Sequence, residues 1–425
     1  MPQPHREPQA LKRLNPCILA GILIIGIGVR LALVFPRLAE PPDDPDNYLP
    51  IAQAVASGAG ISFKGRPTAY RPPLYPLVLA PMVSAWGTGA RLTAPLAVFH
   101  LGLGAAAIVL THLGALRFGL SPRRALFAAA VVAFDPVLVV QCRSVMTETL
   151  AATLLAFSLW ALARNTTRSM VISGVGFGLL ALCRPSLLPA WGLVLLGALV
   201  CKPGGARDRV ARGLAIALPC VLVMLPWAVR NQLQVGAPVW TTTHGGYTLY
   251  LANNPVYYSE VLHGPPGSVW SGARQAAWFR QVNREAAGMP EPGADLYFAR
   301  EAIRFIRSHP GDFVRASLAR LGRFWGVMPA DAVYPSALRL ATALWTIPLW
   351  CLLILGALRR NAWEWPFVTA VACILALTAV HAVFWTDLRM RAPIVPAIAL
   401  LAANAYFDAT KVRRFLTRTR AGAAP

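Results

Sequence analysis

Apolar residues recur in runs of near-span length along most of this chain, broken by short basic or turn-rich connections. A helix crossing a bilayer needs about 20 apolar residues, fewer where its ends are shielded. On that rule the pattern predicts spans near 17–36, 91–117, 123–141, 147–163, 169–184, 186–201, 211–229, 337–358, 365–384 and 391–408. The expected architecture is therefore an all-α polytopic membrane protein of about ten transmembrane helices. Two polar stretches interrupt it. One is a loop at 37–76 and the other is an insert at 231–336. The resulting division is a short N-terminus (1–16), a transmembrane module with its first loop (17–230), a loop domain (231–336), C-terminal helices (337–408) and a tail (409–425).

Composition closes off the soluble alternative. Hydrophobic residues make up 56% of the 425 positions and charged ones 14%, too much apolar surface for one soluble core. The net charge of +22 does not point to nucleic acid. Its arginines and lysines sit in small clusters between spans, as orientation signals do. Arg6, Lys12 and Arg13 precede the first span; Arg117, Arg123 and Arg124, then Arg164 and Arg168, then Lys202, Arg207, Arg209 and Arg212, then Arg359 and Arg360 follow alternate spans, and the tail adds five more. An even span count puts all of these, and both termini, on the cytoplasmic side. The first loop and the insert then face the exoplasm. The seven cysteines lie mostly in apolar runs without metal-binding spacing and read as small core residues.

The insert opens with WTTTHGGYTLYLANNP, where Gly245–Gly246 and Asn253–Asn254–Pro255 mark turns around a short extended run. Two amphipathic helices follow, broken at His309–Pro310–Gly311. In the second, Phe313, Leu318, Leu321, Phe324 and Trp325 share a face that either lies in the headgroup plane or packs on the membrane domain.

Candidate chemistry concentrates in the first loop, PPDDPDNYLPIAQAVASGAGISFKGRPTAYRPPLYP. Asp43, Asp44 and Asp46 crowd its start. Mutual repulsion raises the pKa of a crowded carboxylate, which suits a general base; an acidic N-capping turn ahead of the Tyr48–Ala56 segment fits equally. Arg71 is stiffened by Pro72 and Pro73. Its planar, permanently charged fork suits a phosphate, although snorkelling to headgroups also explains an arginine there. Glu148, Arg184, Arg389 and Arg391 fall at exoplasmic span ends, where ionisable groups are costly without a partner or task. Of the histidines only His244 lies in a turn-rich loop nearby, so a divalent metal stays possible without a recognisable ligand set. No phosphate-cradling glycine loop or dinucleotide fingerprint is present.

The order of these pieces resembles the GT-C-fold glycosyltransferases of family 39, which include the protein O-mannosyltransferases, and their bacterial relatives, the lipid A aminoarabinose transferases. It is carried by Asp44-x-x-x-Tyr48, Ser57-Gly58-x-Gly60, Arg71-Pro72-Pro73-x-Tyr75-Pro76, Thr147-Glu148 and Cys183-Arg184-Pro185. Pro226-Trp227-x-x-Arg230-Asn231, Gly245-Gly246, Asn253-Asn254-Pro255, His309-Pro310 and Arg389-Met390-Arg391-x-Pro393 complete it. The resemblance implies transfer of a sugar from a polyprenyl-phosphate donor to an exoplasmic acceptor, with inversion, in a bacterial inner membrane. Asp44 would be the base, Arg71 the lipid-phosphate ligand and Glu148 a second site carboxylate, with Tyr48, Arg184, Arg389 and Arg391 as helpers. Many relatives carry an acid directly after the catalytic aspartate; here Pro45 stands there, so Asp46 shares the candidacy. A polyprenyl-sugar flippase is the alternative. It predicts inverted repeats, which the sequence does not display.

Overall fold

The computed structural model describes residues 9–164, 166–201, 205–264, 270, 272–329 and 334–405, with side chains from Pro16 onward. Arg6, Lys202 and the tail from 409 therefore lie outside the described residues.

The described residues are mostly helical. In order come α1 (Gln9–Val34), α2 (Tyr48–Ala56), α3 (Leu74–Trp86), α4 (Thr93–Arg117), α5 (Pro122–Phe134), α6 (Pro136–Gln141), α7 (Glu148–Leu162), α8 (Thr167–Cys183), α9 (Leu188–Val200) and α10 (Ala206–Gln234). The insert supplies α11 (Gly245–Ala252), α12 (Pro255–Tyr257), α13 (Ala273–Glu285), α14 (Glu291–Ser308) and α15 (Pro310–Phe324). The bundle resumes with α16 (Ser336–Ala357), α17 (Phe367–Val383) and α18 (Val395–Ala405). The described strands are Ser62–Phe63 and Arg66–Pro67, an antiparallel pair in the first loop. By length and composition five helical stretches are long and apolar enough to cross a membrane, and five more are shorter apolar helices. The chain is a multi-pass membrane protein.

Burial sorts these helices. The first span is 17% buried over its apolar window, whereas Leu388–Ala405 is 83% buried. The difference is chemical. The α1 surface carries bulky Ile and Leu toward the bilayer, and α18 reads VPAIALLAANA, small enough for neighbours to approach closely. At Gly356 of α16 an added Cβ would lie 1.8 Å from the Leu401 carbonyl oxygen, so only glycine allows that crossing. Asn404 seals the same seam, exchanging 3.0 Å amide bonds with Asn361.

Three expectations need correction. The span expected at 123–141 is broken at Asp135–Pro136, because proline lacks the N–H that would continue the ladder. Asp135 caps the new start through the Val137 and Leu138 amides, and Arg30 of α1 takes the freed Val132 and Ala133 carbonyls. The extended run after Gly245 is instead the helix α11. Its Gly246 amide donates to Asp295 at 2.6 Å, and a Cβ at that glycine would collide with the Asp295 carbonyl at 1.9 Å. Tertiary contact with α14 thus overrides the turn signal. In α15 the break at His309 holds, but Leu318 is exposed and leaves the face formed by Ala316, Arg320 and Phe324.

The insert has its own aromatic core: Tyr257, Tyr258, Trp270, Trp278, Val282, Phe298 and Ala316. It grips the first loop through Glu291, whose carboxylate accepts from the Ala69 amide (2.7 Å), the Thr68 hydroxyl (2.6 Å) and the Thr243 hydroxyl. The Pro226–Asn231 segment serves the same junction. Trp227 Nε1 donates to the Thr241 carbonyl, Arg230 to the Thr68 and Ile61 carbonyls, and Asn231 to the Val239 carbonyl.

Candidate active site

These clamps leave a cavity of about 950 Å³ at one end of the bundle, between the first loop, the insert and the ends of α7, α8, α9 and α17. Three arginines line it, each held by a carboxylate. Arg71 Nη2 meets Asp46 Oδ1 at 3.2 Å while its Nε donates to the Asp46 carbonyl at 2.8 Å. Arg184 Nη1 lies 3.2 Å from Glu148 Oε1 and 3.0 Å from the Thr147 hydroxyl. Arg389 Nε lies 3.2 Å from Asp387 Oδ2. A guanidinium has five N–H donors and each carboxylate engages only part of that fork, so donors remain for a ligand. The pairs fix where those donors point.

Local sequence explains the placement. Pro72 and Pro73 set Arg71 just ahead of α3, and its guanidinium rests on the Tyr70 ring (4.8 Å) and near that of Tyr48 (5.5 Å). Burial works against its charge, but the oxygens of Tyr48, Tyr70 and Asp46 around it more than compensate. The Asp43 carbonyl accepts from the Val145 amide at 2.8 Å, stitching the first loop to the start of α7. That stitch brings Glu148 beneath the loop. Its side chain is 0% exposed, and apart from Arg184 neither oxygen has a hydrogen-bond partner.

The structure distributes the expected residues unevenly. Asp46, Tyr48, Arg71, Glu148, Arg184 and Arg389 all line the cavity. Asp44 does not. Its two oxygens accept the Tyr48 (2.9 Å) and Leu49 (2.8 Å) amides at the start of α2, the helix-capping alternative. The Asp44 carboxyl is raised above its ordinary value chiefly by burial; the neighbouring Asp46 is a lesser cause. Crowding is therefore a minor cause at Asp44. Asp43 is turned to the Ser144 hydroxyl.

Arg391 is also elsewhere. It is 1% exposed, spends its Nη1 on the Phe324 and Gly326 carbonyls, and sits over the Trp350 ring at 4.8 Å. It secures the end of α15 and is not among the residues lining this cavity.

The insert contributes a wall that sequence reasoning left unassigned: Thr241, Thr242, His244, Tyr247, Thr248, Gln275 and Phe279. Its one advance signal was the isolated turn histidine. His244 stands edge-on to Tyr70 (4.5 Å) and stacks on Tyr247 (5.0 Å). Burial, then the Arg71 charge, hold its pKa well below 6.5, so it is neutral. Among the described residues no three His, Cys, Asp or Glu side chains gather as a metal site.

No protein-family model matches this sequence, and no curated protein does. Solved structures are similar to it in fold. ArnT from Cupriavidus metallidurans bound to undecaprenyl phosphate aligns over 91% of this chain and 77% of its own, at 16% identity and a TM-score of 0.43. The apo state of the same transferase gives a TM-score of 0.41 over the same shares. The Archaeoglobus fulgidus oligosaccharyltransferase tethered with an acceptor peptide gives 0.46 at 16% identity, over 91% of this chain and 49% of its own. Both proteins are GT-C-fold glycosyltransferases, the class that the motif order resembles. At these scores the likeness carries no weight on chemistry, and the functional reading rests on the site.

Proposed function

We propose that this protein is an exoplasmic-facing membrane glycosyltransferase that moves one sugar from a polyprenyl-phosphate donor to an acceptor hydroxyl, with inversion. The observation that carries this reading is the set of three carboxylate-held arginines, Arg71, Arg184 and Arg389, around one cavity beside the first loop. A phosphate monoester leaving group departs as an anion, so fixed guanidiniums can stabilise its growing charge without a protein acid.

Asp46 is the better-placed base, since it lines the cavity while both Asp44 oxygens are held by backbone amides. In the step, the acceptor oxygen bonds to the anomeric carbon and its proton passes to Asp46. The bond from that carbon to the phosphate oxygen breaks, and the electron pair stays on phosphate. Protonation neutralises the partner of Arg71, which frees that guanidinium's charge as the phosphate gains its own. Glu148 holds Arg184, and Tyr48 supports Arg71 from below. Asp44 fixes α2 and thereby the position of Asp46.

The test is turnover of a labelled polyprenyl-phosphate sugar by purified wild type, Asp46→Asn and Asp44→Asn. Asp46→Asn should lose about 10²-fold or more in rate, as expected for a general base, and Asp44→Asn should retain most of it. A folded but dead Asp44→Asn beside an active Asp46→Asn would reverse the assignment. Donor moved across vesicles with its sugar–phosphate bond intact would favour the flippase.

A further inference from the structure

A lipid-linked donor has three parts, tail, phosphate and sugar, and the cavity has three kinds of wall. The spanning helices present Leu188, Trp191, Gly192 and Val380, which suit a polyprenyl tail. The arginine set suits the phosphate. What remains for the sugar is the insert wall. His244, Tyr247, Thr248, Gln275 and Phe279, with Tyr70 of the first loop beside them, combine aromatic and neutral polar side chains.

That wall has the makings of a carbohydrate platform. Tyr247 is stacked with His244 at 5.0 Å and near-parallel to Phe279 at 6.4 Å, so aromatic rings line this part of the cavity with polar groups beside them. Nδ1 of His244 is shut off from solvent and has no hydrogen-bond partner. A hydrogen bond from this imidazole to a ligand therefore falls to its other nitrogen. A neutral ring with its proton on that nitrogen leaves only a lone pair unpaired inside and offers a donor to the cavity. Gln275 and Thr248 add neutral donors and acceptors. The Arg71 guanidinium lies 4.8 Å from the Tyr70 ring and its charge reaches His244, so an ammonium on the sugar would meet a like charge here and a carboxylate would not.

Resting on the function proposed above, we infer that the insert wall is the sugar subsite, that His244 donates a hydrogen bond to a sugar hydroxyl there, and that the wall selects against a sugar bearing an ammonium.

The test is binding to the full-length protein in nanodiscs, using one polyprenyl lipid as bare phosphate, as the neutral hexosyl phosphate, as the hexosaminyl phosphate with a free amine and as the uronosyl phosphate. The neutral donor should bind about tenfold or more tighter than the hexosaminyl one, the scale on which an unfavourable charge in a buried site discriminates, and the uronosyl donor should carry no such penalty. His244→Ala should weaken the neutral donor by about tenfold and leave the bare lipid phosphate unchanged, as expected if the bond is to the sugar. The inference is overturned if the hexosaminyl donor binds as well as the neutral one, if the uronosyl donor is rejected as strongly as the hexosaminyl one, or if His244→Ala weakens bare lipid phosphate equally. Wild type that binds none of the four lipids would remove the proposed function itself, and this inference with it.

Discussion

Two sets of arginines occupy opposite sides of the same junction, and their partners separate their roles. Around the cavity, Arg71, Arg184 and Arg389 are held by carboxylates that use part of each fork. Behind it, Arg320 and Arg391 are 0% and 1% exposed and are spent on helix-end carbonyls. Arg320 donates to Ala252 at the end of α11 and to Ala382 in the last turn of α17, both at 2.8 Å. Arg391 donates to Phe324 and Gly326 at the end of α15. Helix C-termini leave four carbonyls without intrahelical partners and carry partial negative charge, so a buried guanidinium there satisfies both. The same residue type is a binding group when a carboxylate positions it and a rivet when carbonyls consume it.

The largest expected effect breaks the first set. Arg71→Ala should cost about 10²–10³ in turnover, the usual loss for one preorganised donor, with little change in melting temperature. Arg71→Lys regaining full activity would show that a point charge suffices, and that the fork geometry does not matter.

The second set should respond in the opposite way. Arg391→Ala strands two buried carbonyls and should lose on the order of 3 kcal/mol of stability, read from thermal or denaturant unfolding in detergent. Turnover per folded molecule should stay near wild type. A fully stable Arg391→Ala with lost activity would move that arginine into the first set.

Asp44 sharpens the comparison within the acidic cluster. Asp44→Ala removes the acceptor for two α2 amides and should cost about 1 kcal/mol of stability, the usual worth of a helix cap. Its rate loss should be small beside that of Asp46→Asn. The smallest effect is in pH. Buried His244, faced by Arg71, Tyr70 and Tyr247, holds its pKa well below 6.5, whereas the unfolded chain takes up that proton near the ordinary value. Below about pH 6.5 the unfolded state binds more protons at this site, so stability falls as pH drops and recovers above it. A melting-temperature profile should show this dip, and His244→Asn should flatten it.

The sequence by itself determined the membrane class, most span positions and the cavity's charged members. Runs of apolar residues must face lipid whatever their neighbours, and an ionisable group at a span end needs a partner or a task. Glu148, Arg184 and Arg389 were legible on that ground, and Asp46 and Arg71 from the acidic cluster and the proline-stiffened stretch of the first loop. Tertiary structure decided which of several equivalent residues does what. Asp44 and Asp46 are alike in sequence until α2 presents two free amides to one of them. Arg389 and Arg391 are two positions apart, yet only one points into the cavity, because the turn between α17 and α18 sends the other to the end of α15. The insert's neutral aromatic wall had no one-dimensional signal, since it is assembled from α11, α13 and the first loop across more than 200 residues of chain. Whether a polar side chain serves the fold or the ligand depends on whose backbone it meets, and that is fixed only when the chain has folded.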